Sequence, residues 1–210
     1  MKELTTADFQ LMIELAYKNI EARAAEFSEL DAALGDGDHG EAILTAFTVI
    51  NKASKSGSDF KKMLSDMGFA VMLETSGSTS TLLGALLLGM SDEVTATNTI
   101  DSGAVRKMFR GGLTGVQKNT RATIGDKTIM DALIPAINAM EGSKSEDIKE
   151  LLGIAATAAT AGALSTKEMK ATFGRARNLG DKTVGHVDAG ATSWASIFAS
   201  FYQAVKEKNN

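Results

Sequence analysis

The sequence predicts an all-α protein, a single-domain antiparallel barrel or bundle of about eight amphipathic helices. Three observations point that way. Only one proline occurs in 210 residues. Good helix formers (Ala, Leu, Met, Glu, Lys) are abundant, and aromatics make up 6%, which argues against a sandwich or barrel of short strands. Apolar residues also recur at three- and four-residue intervals along most of the chain.

The first stripe is Phe9, Met12, Ile13, Ala16, Tyr17 and Ile20. Thr5 or Thr6 can cap its helix, with Asp8 in the first turn where the helix dipole favours an anion. Further stripes predict helices over 40–53, 59–74, 79–91, 101–118, 128–141, 146–164 and 189–207, with a lesser candidate over 166–178. Pro135 falls inside the sixth, where it should remove a hydrogen bond and bend the axis. Short connections favour sequential, antiparallel packing. No composition break divides residues 1–210, so they read as one domain. Gly-Asp-Lys-Thr occurs twice, at 125–128 and 180–183; each copy can be a helix start capped by Asp126 or Asp181.

Composition narrows function. The absence of cysteine excludes a disulfide framework, an iron–sulfur cluster and a thiolate zinc site. A net charge of −4 disfavours non-specific nucleic-acid binding. The N-terminus lacks the layout of a signal peptide, and the longest apolar run, Leu82–Met90, is too short for a bilayer span. The chain therefore reads as soluble and cytoplasmic, with no membrane or nucleic-acid partner.

The most informative stretch is Leu30-Asp31-Ala32-Ala33-Leu34-Gly35-Asp36-Gly37-Asp38-His39-Gly40. Gly35 and Gly37 disfavour continued helix and set three carboxylates on a tight turn. Such crowding is costly unless a cation lies between the charges. Oxygen donors alone suit a hard cation, magnesium or calcium, rather than zinc. The formal G-x-G-x-x-G at Gly35, Gly37 and Gly40 follows a helix rather than a strand, so it is no dinucleotide fingerprint. A calcium hand fails as well, since its twelfth position from Asp36 is Phe47 rather than glutamate. The remaining alternative is that Asp36 and Asp38 merely cap the helix starting near Gly40. Magnesium prefers a few carboxylates together with phosphates and water, so a metal-filled loop invites a nucleotide.

Other segments fit a phosphate site. Thr75-Ser76-Gly77-Ser78-Thr79-Ser80-Thr81 precedes an apolar helix and offers hydroxyl and N–H groups to an anion, or an ordinary cap. Arg175 or Arg177 can neutralise phosphate, or be a solvated charge. His39 adjoins Asp38 and is better placed for a phosphate than His186, which reads as a hydrogen-bonded structural residue. There is no Walker motif, zinc-histidine pair or nucleophile elbow.

Taken together, Leu30-Asp31 with Gly35–Gly40, Gly125–Thr128, Gly174-Arg175-Ala176 and Gly185–Ser193 resemble the nucleotide-binding (L) subunit family of dihydroxyacetone kinases, over nearly the whole chain. That resemblance implies an eight-helix antiparallel barrel with ADP/ATP at one end. It implies that Asp31, Asp36 and Asp38 bind a pair of Mg2+ ions bridging the phosphates of a tightly held ADP. The positions of His39, Gly40, Glu41, Ala42, Ser78, Thr79, Thr120, Ile129, Arg175, Asp188, Ala189 and Gly190 would line the nucleotide, with no protein nucleophile. Implied partners are a phosphohistidine phosphotransferase (M-type) subunit that rephosphorylates ADP and a separate K-type subunit that holds the ketose. A homodimer is also compatible.

Four departures from the family pattern bear on nucleotide affinity and partner choice. After Gly40, Glu41 stands at a variable position and Ala42-Ile43 where an Asn-Met pair is usual, the phosphate segment reads Ser76-Gly77-Ser78-Thr79-Ser80, Ala189 replaces a proline, and Arg177-Asn178 replaces Ser-Tyr. They leave two rival readings: an L-type subunit for another ketose, such as a tetrulose, and a degenerate nucleotide-binding regulator.

Overall fold

The structure is a computed structural model that describes residues 1–207. Eight α-helices follow one another: α1 (Thr6–Ala32), α2 (His39–Ser54), α3 (Phe60–Glu74), α4 (Ser78–Asp92), α5 (Ser102–Gln117), α6 (Met130–Gly142), α7 (Ile148–Ser165) and α8 (Ala189–Glu207). Each packs on the next, and α8 returns to α1, so the ring closes. The all-helical expectation holds. None of these helices is long and apolar enough to cross a membrane.

Closure follows from stripe geometry. Every helix buries apolar side chains, and the ring's interior is filled from several helices at once. Phe9 of α1 meets Phe60 of α3 and Phe201 of α8 at centroid distances of 6.0 and 5.9 Å. Phe109 of α5 meets Phe198 and Phe201. These tilted and edge-on contacts are the preferred ring geometries. Where two helices must approach closely, glycine allows it. A Cβ on Gly89 of α4 would lie 2.3 Å from the Gly111 carbonyl of α5.

The even-to-odd connections and the chain start gather at one end of the ring. There strand β1 (Glu3–Thr5) pairs antiparallel with strand β2 (Thr99–Asp101), Leu4 opposite Ile100. Three-residue strands are too short to register as a sequence period, and this small sheet was not expected. Thr6 N–H donates to Asn98 O (3.0 Å) and Phe60 N–H to Thr97 O (2.9 Å). Arg106 of α5 donates to the carbonyls of Ser102, Met140, Ser143 and Ser145. This end is sewn shut.

Several local expectations are corrected. Helix α1 runs to Ala32, so Asp31 lies on its last turn rather than in the glycine loop. Residues 166–178 are not an α-helix. A 3₁₀ turn (Thr166–Glu168) leads to extended chain, then to a 3₁₀ segment (Ala176–Thr183), because Gly174 and Gly180 adopt φ of 64° and 57°. Neither Gly-Asp-Lys-Thr caps a helix through its aspartate: Asp126 accepts from Thr123 N–H and Thr172 Oγ1, and Asp181 pairs with Lys170. Thr5, not Thr6, caps α1, in a reciprocal box with Asp8. Helix α6 continues through Pro135. The Asp131 carbonyl, which Pro135 cannot satisfy, is approached so closely by α7 that a Cβ on Gly162 would sit 1.9 Å from it.

Candidate functional site

The opposite end of the ring holds the α1–α2, α3–α4, α5–α6 and α7–α8 connections, and these four segments line one open cavity of about 820 Å³. A volume in this range suits a cofactor-sized ligand. Met130 and Trp194, both buried, belong to its wall.

The acidic loop forms one side. The carboxylate Oδ2 of Asp31, from the end of α1, accepts the Gly37 N–H at 2.9 Å. Gly37 can turn the chain there because its φ is 78°. Gly35 is equally specific: a Cβ would lie 2.5 Å from Asp31 Oδ1. Asp36 follows in the loop, and Asp38 takes the N-cap position of α2. The result is a triad in which one carboxylate oxygen from each of Asp31, Asp36 and Asp38 lies within 4.8 Å of the others. The capping alternative is not what the structure uses, because the Asp38 side chain makes no cap hydrogen bond.

Arg175, in the α7–α8 connection, reaches across to this loop. Its guanidinium pairs with Asp36 and lies 3.9 Å from Asp38. Arg177 is exposed and does not line the cavity, so the structure selects Arg175 of the two. His39 Nε2 is 2.8 Å from Ser193 Oγ, which also lies 3.0 Å from Gly190 O. Burial pushes the His39 pKa down, opposed by the nearby Asp31 charge. His186 does not line the cavity; its carbonyl accepts from Lys127.

Asp188 stands opposite, at the start of α8, with Oδ2 accepting Ala191 N–H at 2.7 Å. Burial pushes its pKa up to about 6. The Ala191 hydrogen bond and Lys127 pull it back down, while Asp131 and Asp31 add to the rise.

Two of the helix starts here are unlike those at the sewn end. Helices α2 and α4 begin at the cavity without any side-chain cap, whereas α6 starts with its Met130 N–H on Thr128 Oγ1 and α8 with Asp188 as its cap. The first N–H groups of α2 and α4 are therefore available to an anion. In the first turn of α4, Ser80 is among the residues at the cavity wall, and its buried Oγ has no hydrogen-bond partner. A buried hydroxyl left unpaired costs free energy unless a ligand satisfies it. The lining side chains also include six carboxylates (Asp31, Asp36, Asp38, Glu41, Glu74, Asp188) against two cations (Lys127, Arg175). A bare polyphosphate would be repelled here, and a divalent cation on the triad reverses that balance. The oxygen-only donor set fits a magnesium–phosphate ligand.

Of the residues nominated from sequence, Asp31, Asp36, Asp38, His39, Glu41, Ala42, Ser78, Thr79, Thr120, Ile129, Arg175, Asp188, Ala189 and Gly190 all line this cavity. Gly40 does not. It is buried against α1, where a Cβ would fall 1.9 Å from the Ala24 carbonyl, so it serves helix packing. Sequence reasoning missed Glu74, Lys127 and Ser80 as individual lining residues. Ser80 lay within the nominated hydroxyl-rich segment, and Lys127 within a motif read as a turn.

An acidic triad at the mouth of an all-helical ring with uncapped helix starts defines a class of metal-assisted phosphate-binding domain. The chain belongs to the DAK2 domain family, whose profile matches residues 33–203. It is 33% identical over 179 residues to the ADP-binding subunit DhaL of PEP-dependent dihydroxyacetone kinase 1 from Listeria innocua, covering 84% of this chain and 85% of that one. It is 31% identical to a D-erythrulose kinase of Mycolicibacterium smegmatis, covering 81% of this chain and 30% of that protein. The fold matches a third of the dihydroxyacetone kinase of C. freundii, with TM-score 0.72, 21% identity and 91% of this chain covered. The same enzyme in complex with AMP-PNP and Mg2+ matches at TM-score 0.67.

Proposed function

We propose that this chain is the ADP/ATP-carrying subunit of a dihydroxyacetone (short-ketose) kinase. In this reading it accepts a phosphoryl group from a phosphohistidine (M-type) partner and passes it to a ketose held on a separate K-type subunit. The observation that carries it is the convergence of Asp31, Asp36 and Asp38, with oxygens within 4.8 Å of one another, at a cavity built from four connections. The names of the relatives support the nucleotide, the PEP-derived phosphate and the membership in a multi-subunit enzyme.

Mg2+, when bound, would neutralise the phosphate oxygens and so lower the cost of moving a phosphoryl group. Asp31, Asp36 and Asp38 would hold it. Arg175 is positioned to leave the triad for a phosphate once metal replaces its charge. The uncapped N–H groups of α2 and α4, with Ser78, Thr79 and Ser80, offer neutral donors to phosphate oxygens. Thr120, Ile129, Ala189 and Gly190 supply the remaining wall. No side chain need act as nucleophile, because phosphoryl transfer asks chiefly for positioning and charge neutralisation.

The likeness to D-erythrulose kinase favours a second reading in which the ketose is a tetrulose. Because the acceptor is held on the other subunit, this chain serves both readings unchanged.

Isothermal titration of the purified protein with ADP and Mg2+ tests the proposal. The wild type should bind one ADP only when Mg2+ is present. Asp36→Asn should weaken that binding by roughly a hundredfold or more while leaving the helical circular-dichroism spectrum intact, since altering even an outer-shell partner of a metal costs about 10- to 100-fold. A wild type that neither retains nor binds ADP, or an Asp36→Asn protein with full affinity, would overturn it.

A further inference from the structure

The first Gly-Asp-Lys-Thr copy contains a lysine that the proposed chemistry leaves unused. Lys127 is 2% exposed, and it is the only non-glycine described residue with positive φ, at 61°. A left-handed backbone and a buried ammonium are both unfavourable, so what the side chain reaches must offset them. Its Nζ donates to Thr166 O at 2.5 Å and to His186 O. Those carbonyls lie at the two ends of the 166–188 connection, the strap that carries Arg175.

Other bonds converge on the same strap. Thr166 Oγ1 accepts Asp188 N–H at 2.8 Å, which ties the Lys127-bound turn directly to the start of α8. Asp126 O accepts Thr172 N–H at 3.3 Å, and Asp126 also takes the Thr172 hydroxyl. Thr183, in the second Gly-Asp-Lys-Thr copy, accepts Ala171 N–H at 2.9 Å and closes the strap on itself. The second copy's lysine, Lys182, is exposed. The two copies thus work on one segment: 125–128 fastens it to the ring, and 180–183 folds it. The anchor of the first copy is in turn fixed by Asp131, whose carboxylate accepts Gly125 N–H (2.6 Å) and Thr128 N–H (2.8 Å).

We infer that Lys127 is the positioning residue of the nucleotide end, clamping both ends of the 166–188 strap so that Arg175 and Asp188 face the acidic triad. It acts through the strap. The identity of the ligand rests on the nucleotide-carrying reading above; the clamp itself does not.

The test uses the full chain as wild type, Lys127→Met and Lys127→Arg. Lys127→Met keeps the length and apolar stem but removes the donors. It should weaken ADP binding in Mg2+ by roughly tenfold or more, the scale expected when hydrogen bonds from a charged group are lost. Amide hydrogen exchange, measured without nucleotide, should quicken in 169–187 and stay unchanged in the helices. Lys127→Arg, which retains a charged donor, should recover most of both. Unchanged exchange in 169–187, exchange rising through the helices in step with it, or an arginine variant no better than methionine would overturn the assignment. If Lys127→Met fails to fold, Lys127→Gln is read in the same way. A wild type that binds no ADP sinks the functional reading, while the exchange measurement still decides the clamp.

Discussion

The two ends of the helical ring differ in how their helices start. At the sewn end, α1, α3, α5 and α7 begin, and each is capped by a side chain, from Thr5, Asp59, Asp101 and Asp147. At the cavity end, α2 and α4 begin with none, while Thr128 Oγ1 takes the first N–H of α6 and Asp188 caps α8. Asp38 shows the contrast best. It is the preferred residue type in the N-cap position, as Asp59 and Asp101 are, yet its carboxylate is turned to the triad rather than to its own helix. All four helix starts at the sewn end use a side chain for the fold, while at the cavity end the starts of α2 and α4 keep their N–H groups free. Marginal local stability at the binding end is the usual cost of a site that must accept charge.

Three measurements would sharpen or break this contrast. The largest effect is expected at the sewn end. Arg106→Ala removes the donor for four carbonyls and should cost about 3 kcal/mol in urea denaturation, the scale for bonds to a charged group, without altering ADP affinity. A parallel loss of nucleotide binding would show that the ends are not independent.

The second effect is pH-dependent and belongs to the cavity. Asp188 has its pKa raised to about 6 in the folded state from 3.8. Between those values the folded protein binds more protons than the unfolded one, so this residue makes stability fall as pH rises through pH 4–6 and leaves it level above. Asp188→Asn should remove that decline, a difference of up to about 2 kcal/mol at neutral pH, less than the full shift because the side chain keeps some solvent contact. Denaturation curves at several pH values would show it; parallel profiles for variant and wild type would contradict the account.

The smallest effect is the most direct comparison. Asp101→Ala should cost about 1 kcal/mol, as loss of an N-cap does. Asp38→Ala should cost nothing measurable, or add slightly to stability, by relieving repulsion within the triad. Equal losses at both positions would mean that Asp38 does serve its helix.

Much of this was legible in advance, for reasons that differ by residue. The helices were readable because apolar periodicity is a local signal, and Phe9, Met12, Ile13, Ala16 and Ile20 are indeed buried. The triad was readable because three carboxylates so close in sequence cannot separate far in space. The resemblance to the dihydroxyacetone kinase L-subunit family supplied Thr120, Ile129 and Arg175, which no spacing argument could have brought to the same cavity. Gly40 packs against α1 rather than at the cavity wall, and a glycine that admits a ligand and one that admits a neighbouring helix look the same in sequence. Residues 166–178 misled for a related reason: their composition is helical, but Gly174 and the tethers to 125–128 determine their path.

By itself, then, the sequence determined the helical class, the single domain and the acidic loop, because each depends on residues near one another in the chain. Tertiary structure alone decided that Asp31 sits on a helix, that Asp38 forgoes its cap, that Ser80 is left unpaired and that Lys127 is buried beneath the strap. Lys127 depends on partners contributed by a distant segment, and burial sets what an unmatched charge or hydroxyl costs only once the ring has closed.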